Sequence, residues 1–237
     1  MTPDAIAGQL REIYARLIAS SLSVQQNGVS DRVISLTQNK QNFPVRTIGD
    51  LPTTTALKDI PYSDLYADML NKNAYHIKMI DGALISFQYT FRQADSELIK
   101  HRLAFFPSHL LPTIEEAPEL YSADNLYSDI LENRLVRFPI RFDYDPVNYV
   151  DSTHPKSHVT LGQFSACRIP VAGPVLPYAF VLFIVRNFYA SAYLRYRNSF
   201  DKRFPYIPTN FTISDGERRM THFVMGRNYN REYEIPN

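Results

Sequence analysis

The chain has 237 residues, of which 45% are hydrophobic and 21% charged, and its formal net charge is +1. With so small a net charge, the molecule as a whole has no strong electrostatic field that would attract nucleic acid or membrane. The chain has a single cysteine, Cys167, which excludes a disulfide within the chain. No apolar run approaches the ~20 residues of a membrane span, and no secretion signal is recognisable, so we expect a cytoplasmic protein without membrane contact. The length predicts one domain, residues 1–237.

The first 72 residues are predicted to form a mainly helical N-terminal segment. Ile6, Leu10, Ile13 and Leu17 recur at helical spacing, which indicates an amphipathic helix over residues 2–22. The rest of the segment is predicted to contain a short strand at 33–36, a surface loop at 38–55 and a helix at 62–72.

A β-meander is predicted next. Two alternating runs flank the dipeptide Asp81-Gly82, which is typical of a hairpin with a two-residue type I′ turn. A third strand is predicted over residues 98–107 and a helix over 122–135. Together with the following region these elements predict a sheet whose strands are connected locally.

Three further strands are predicted between Val136 and Val171, at 136–144, 158–162 and 166–171. Successive strand residues point to opposite faces, so one face of these strands is apolar and includes Cys167. The other face is predicted to gather Arg137, Arg141, Asp143, His158, Thr160 and Arg168, and the first connecting loop adds Asp145, Asp151 and His154.

The fold class predicted from these elements is α+β, with a mainly antiparallel sheet of about six strands and flanking helices. One of these helices is predicted to be long and to lie in the C-terminal half, starting at Pro177. Residues 198–237 show no clear period and are predicted to be an irregular basic segment.

The gathered side chains suit metal-independent chemistry on a phosphodiester. His158 and His154 are candidates for general acid and base, Arg141 and Arg168 for holding a phosphate, and Asp143 for orienting an imidazole. Two alternatives remain open: a metal site built from the two histidines and nearby aspartates, and a solvated sheet face with cross-strand Arg–Asp pairs. Glycine-rich phosphate or dinucleotide motifs are absent from the sequence, and no cofactor is predicted.

A second candidate surface is predicted on the long helix. Residues 186–231 hold nine Lys or Arg against three Asp or Glu, with aromatic residues between them. Such a patch suits a nucleic-acid backbone with stacked bases, and its predicted contacts are Arg186, Tyr193, Arg195 and Arg197. The alternative is that the tyrosine rings pack in the core while the arginine stems cover it.

Three phrases of the sequence, IKMIDGALISFQYTF, KHRLAFFPS and HPKSHVTLGQFSACRIPV, resemble the bacterial family called domain of unknown function 2290. The resemblance runs from about residue 75 to 189 and implies a bacterial, cytoplasmic protein with a loose association with defence-type loci. It implies no activity or catalytic residue. We therefore predict a nucleic-acid-acting protein, a metal-independent nuclease or a nucleic-acid-handling subunit, with RNA or DNA as its partner. The alternative is a non-catalytic subunit whose aromatic, Pro-rich C-terminal region docks a partner protein of the same system.

Overall fold

A computed structural model describes residues 1–38, 41–51, 60–110, 138–202, 204–205 and 207–225. Within these ranges the chain forms one nine-stranded sheet flanked by helices, so the predicted α+β class with a mainly antiparallel sheet is confirmed. The strands are β1 (Ser23–Gln26), β2 (Asp31–Gln38), β3 (Gln41–Ile48), β4 (Ile77–Met79), β5 (Leu84–Arg92), β6 (Leu98–Phe106), β7 (Ile140–Tyr144), β8 (Ser157–Leu161) and β9 (Ile169–Pro170). The helices are α1 (Pro3–Ala19), α2 (Tyr62–Asn71), α3 (Pro177–Phe188), α4 (Ala190–Arg195), α5 (Arg197–Phe200) and α6 (Asp215–Arg218).

The sheet runs in the order β1-β4-β5-β6-β7-β8-β9, and all the pairs between named strands are antiparallel. The hairpin of β2 and β3 joins the same sheet because β3 pairs with the C-terminal half of β5, from Tyr89 to Arg92. The predicted hairpin around Asp81-Gly82 and the strands between 136 and 171 therefore do lie in one sheet, although the sheet has nine strands rather than six.

Two sequence-based expectations about the strands are wrong, the surface loop at 38–55 and the strand at 166–171. The N-terminal segment contributes three strands besides its two helices, and β3 lies inside the stretch predicted as a surface loop. The reason is tertiary: the polar residues of β3 are accommodated because the strand pairs with β2 on one side and β5 on the other. The strand predicted at 166–171 is reduced to β9, and Cys167 lies before it, half-buried, with its Sγ accepting a bond from the Leu161 amide.

The hairpin turn also differs from the prediction. The Gly82 amide donates to Met79 O over 2.9 Å and the Met79 amide to Ala83 O over 2.7 Å, which makes a three-residue loop. Gly82 has φ +85° and takes the left-handed position of this loop, while Asp81 does not. A type I′ turn needs a positive φ at both of its central residues. Here only Gly82 has one, so the turn is not type I′.

The core lies on one face of the sheet, which we call the apolar face. Helices α1 and α3 cover it: Ile6, Leu10, Ile13 and Leu17 of α1 are at most 2% exposed, and Thr2 caps the helix start by accepting from the Ala5 amide. From α3, the Phe180 ring makes edge contacts with strand residues Phe87 and Phe142. The apolar residues at helical spacing in the N-terminal segment therefore pack against this face of the sheet.

The predicted long helix is interrupted. It ends at Phe188, and Tyr189 has φ −136° and ψ 51°, which is not helical. Tyr189 is fully buried and its hydroxyl donates to Asp81 Oδ1 over 2.9 Å, so packing against the hairpin fixes its backbone outside the helical range. The chain continues as the short helices α4 and α5. No described helix is long and apolar enough to cross a bilayer.

The opposite face of the sheet, which we call the polar face, is covered at one end by α2. Leu65, Tyr66 and Met69 of this helix pack against Leu84, Ala104 and Phe106 of β5 and β6. The helix agrees with the one predicted at 62–72, whereas the helix predicted at 122–135 lies outside the described residues. Beyond α2 the same face carries polar and charged side chains, and these form the candidate site.

Candidate functional site

The site is built around a buried carboxylate, Asp143 of β7, which is 4% exposed. Arg102 of β6 lies directly opposite Asp143 in the ladder, and its Nε donates to Asp143 Oδ1 over 2.8 Å. Arg141, two residues earlier on the same face, donates from its Nε to Asp143 Oδ2. Burial acts to raise the pKa of Asp143, but the two guanidinium groups outweigh it and bring the pKa down to about 2. Asp143 is therefore an ionised anchor for its neighbours at neutral pH.

His158 of β8 faces Asp143 from the next strand. Its Nδ1 lies 2.9 Å from Pro155 O, and because a carbonyl only accepts, Nδ1 carries the proton. Nε2 lies 3.8 Å from Asp143 Oδ2. Burial lowers the pKa of His158, so the ring is neutral at pH 7 and Nε2 holds a lone pair. A proton taken up there would be stabilised by Asp143.

His154 supplies a second imidazole in the loop between β7 and β8. Two backbone hydrogen bonds with Val150 hold this residue, and its ring centre lies 5.1 Å from that of His158 at 71°. Burial and the charge of Arg168 lower the pKa of His154. The ring of His154 is half-buried while His158 is 3% exposed, so His154 is the imidazole that a ligand can reach.

The remaining predicted residues lie around this pair. Thr160 is 2% exposed and lies opposite Arg141 in the ladder. Arg168 is half-buried in the turn before β9, and its charge acts on both Arg141 and His154. Asp151 lies in the same turn of the loop as His154 and accepts from the hydroxyl groups of Tyr149 and Ser214. Arg137 lies outside the described residues.

Two cations were missed in the sequence, Lys100 and Arg102 of β6. Lys100 Nζ lies 3.4 Å from Asp145 Oδ2, and Arg102 binds Asp143 as described above. The signal was present: Lys100 and Arg102 alternate with His101 and Leu103, which places them on the polar face. We call the whole set the charged cluster, and it consists of Lys100, Arg102, Arg141, Asp143, Asp145, His154, His158 and Arg168.

The cross-strand Arg–Asp pairing of the alternative is present between Arg102 and Asp143, but the centre of this cluster is not solvated. Arg141, Asp143, His158 and Thr160 are each at most 7% exposed. Burying charged groups is costly unless they are paired, and the contacts of Asp143 meet that requirement. As to a metal site, the described part of the chain contains no group of three His, Cys, Asp or Glu arranged to hold an ion.

The second predicted surface lies elsewhere. Arg186, Arg195 and Arg197 are exposed and belong to α3, α4 and α5, in the helical layer on the apolar side of the sheet. Arg197 Nε donates to Asp201 Oδ2 over 3.1 Å. Tyr193 is 8% exposed, and its hydroxyl donates to Asp201 Oδ1 over 3.0 Å. The sheet therefore separates these arginines from the charged cluster, and the Tyr193 ring is packed in the core.

Comparison with known protein families gives a match over most of the chain. A family model described as an uncharacterized conserved protein (DUF2290) matches residues 29–225, which include the whole charged cluster. No curated protein and no solved structure matches the chain.

Proposed function

Because this chain belongs to the family of uncharacterised conserved proteins DUF2290, whose description assigns no activity, we propose its function from the charged cluster. The protein binds RNA or DNA at a backbone phosphate and cleaves the phosphodiester without a metal ion. The family resemblance predicted for residues 75–189 is confirmed, and the match extends it to residues 29–225. The bacterial defence-type setting stays a prediction.

The observation that carries the proposal is the excess of positive charge around two neutral imidazoles. The charged cluster holds one lysine and three arginines against the carboxylates Asp143 and Asp145. A phosphodiester brings one negative charge, which arginine binds well because its planar fork matches two phosphate oxygens. The cluster thus offers an anion a place beside groups that can move a proton.

His154 is the acid–base group in this proposal. Its neutral ring accepts the proton of the attacking hydroxyl, from water or a ribose 2′-OH, as the new P–O bond forms. The P–O bond to the leaving oxygen breaks, and the protonated ring returns its proton to that oxygen. Arg168 stabilises the charge that develops on the phosphoryl oxygens. His158 supports the His154 ring from behind at 5.1 Å.

The test uses the purified full chain with labelled single- and double-stranded RNA and DNA, with and without EDTA. We expect cleavage that survives EDTA, and His154→Ala is expected to reduce it by a factor of about 10² to 10⁴, the usual contribution of a general acid or base. His154 is half-buried in a loop, so the variant is expected to keep its thermal midpoint. Cleavage abolished by EDTA, or unchanged in His154→Ala and His158→Ala, would overturn the mechanism.

Binding is tested separately with Lys100→Ala, whose side chain is 46% exposed. Removing one phosphate contact is expected to lower the slope of log affinity against log salt by about 0.7 for a single strand. The double variant Arg186→Ala and Arg197→Ala serves as the comparison, because these residues lie beyond the sheet. Loss of binding in the double variant alone would move the contact to the helical surface.

An interaction subunit is the second candidate, and one observation favours it. Phe164 is 74% exposed and Phe138 is 43% exposed, and the Phe164 ring and the Phe138 Cβ both lie beside Gly162. Neighbouring exposed aromatic rings are typical of protein-binding surfaces. Absence of nucleic-acid binding at low salt for all four substrates would favour this candidate over the nuclease.

A further inference from the structure

A pocket of about 360 Å³ opens on the polar face next to the charged cluster. It lies over β3, β5 and β6, so that β7 lies between it and His158 of β8. Its volume is at the small end of the range for ligand pockets, about 300–1,000 Å³. We propose that this pocket binds one nucleotide, with the nucleobase inside and the phosphate on Lys100 and Arg102. This inference rests on the proposed function and names the substrate of the same site.

The walls of the pocket suit a nucleobase. Leu36 and Leu51 provide apolar surface for the faces of a flat ring. Gln88 and Thr90 of β5 line the pocket too, and their side chains make no hydrogen bonds within the described part of the chain. A glutamine amide both donates and accepts, which is what the edge of a base requires. A purely apolar ligand would leave these groups unpaired, at a cost in affinity.

The cations at the pocket suit a phosphate. Lys100 and Arg102 line the pocket and belong to the charged cluster as well. Arg102 uses its Nε to bind Asp143, and a guanidinium has five N–H donors, so others remain for a ligand. Asp50, a carboxylate of the wall, is paired with Arg32, and its charge is thereby compensated.

The register of the sheet fixes how these groups are arranged. Thr90 lies opposite Lys100, and Gln88 lies opposite Arg102, so each base-reading group neighbours a cation. The row continues from Arg102 to Asp143 and His158 on the next two strands. Three strand spacings separate Gln88 from His158, roughly 14 Å. The nucleotide in the pocket is therefore not the one cleaved but one held beside it on the same strand.

This arrangement favours single strands. In a duplex the hydrogen-bonding edge of each base is occupied by its partner, and reaching a pocket requires the base to leave the stack. The nucleotide in the pocket could be a free nucleotide or an unpaired nucleotide of a longer strand. The experiment must separate these two sources.

The first arm of the test measures binding of the four nucleoside 5′-monophosphates and their nucleosides to the full chain by calorimetry. We expect a nucleotide to bind more tightly than its nucleoside, and Lys100→Ala to reduce that difference. Gln88→Leu keeps the size of the side chain and removes its donor and acceptor, and it is expected to weaken nucleotide binding about tenfold, as for one lost hydrogen bond. Arg11→Ala, an exposed cation of α1, is the matched control for loss of charge.

The second arm measures affinity for, and cleavage of, single-stranded oligonucleotides by the same variants. Tighter binding of oligonucleotides than of nucleotides, weakened by Gln88→Leu, identifies the strand as the source; nucleotide binding without oligonucleotide binding identifies the free nucleotide and overturns the proposed function. No nucleotide binding, together with cleavage that is normal in Gln88→Leu and lost in His154→Ala, overturns the pocket and leaves the proposed function standing. Unchanged melting temperatures establish that each variant is folded.

Discussion

The central strands β6 and β7 have buried residues on both faces, and the two faces are stabilised by different interactions. On the apolar face Leu103 and Phe142 are fully buried against the helices. On the polar face Asp143 is 4% exposed and is held by Arg102 and Arg141. Apolar burial is non-directional and scales with area, whereas buried charge is tolerated only with its partner present. The first face therefore depends on volume and the second on pairing.

The largest effect is expected from Phe142→Ala on the apolar face. The ring contacts Phe180 and Phe183, and its loss leaves a cavity that α3 cannot fill. We expect the free energy of unfolding to fall by about 3–5 kcal/mol, measured by urea denaturation. Phe142→Leu is the control and should cost less, because most of the volume is kept. Equal costs for both variants would contradict a face governed by volume.

On the polar face, Asp143→Ala is expected to cost about 3 kcal/mol, near the lower end for breaking a buried ion pair. The reason is that Arg102 and Arg141 lose their common anion. Asp143→Asn keeps the volume and removes only the charge, so it serves as the control. If the asparagine variant were as stable as the native chain, pairing of charge would not be what holds this face.

A fall in pH tests the apolar face separately, because this face contains an ionisable group, the imidazole of His101. Its Nε2 accepts from the Val175 amide over 2.9 Å, and burial lowers its pKa to about 3. In the unfolded chain the imidazole has a pKa near 6.5. Below that pH the unfolded state therefore binds a proton that the folded state does not bind. Stability is expected to fall on acidification, by about 1.4 kcal/mol per pH unit for this group.

The measurement is urea denaturation of the native chain and His101→Gln between pH 6.5 and 4. In the variant, the slope of the free energy of unfolding against pH should be smaller by about 1.4 kcal/mol per pH unit. The difference between the two chains is needed because His76, with a pKa lowered by burial to about 4, adds to the slope. Asp81 opposes it, because burial raises the pKa of its carboxyl. Parallel curves for the two chains would show that His101 is not held neutral.

The smallest effect is expected from Tyr189→Phe, which removes one polar contact from the apolar side. The hydroxyl donates to Asp81 Oδ1, which also accepts from the Ala83 amide over 3.1 Å. We expect a loss of about 1–2 kcal/mol, since a buried acceptor loses one of two donors. Thermal unfolding of Tyr189→Phe beside Tyr196→Phe, a change at a partly buried tyrosine, measures it. No difference between these variants would mean that the contact does not link the hairpin to the break after α3.

Local patterns predicted the parts of the fold that depend on neighbouring residues. The 3.6-residue period gave α1, and the two-residue period gave the faces of β5, β7 and β8. The same alternation placed Arg141, Asp143 and His158 together on one face. Extended to β6, it would also have found Lys100 and Arg102, so this omission was not a limit of the sequence.

The sequence by itself thus determined which side chains share a face, because that follows from backbone geometry within each strand. Only the tertiary structure decided the rest. Polar β3 is a strand because β2 and β5 supply its hydrogen bonds, and the helix stops before Tyr189 because a distant hairpin binds its hydroxyl. The burial of Asp143, and hence the fixed charge of the candidate site, depends on arginines of two strands meeting it. These contacts join residues far apart in the chain, and no local pattern encodes them.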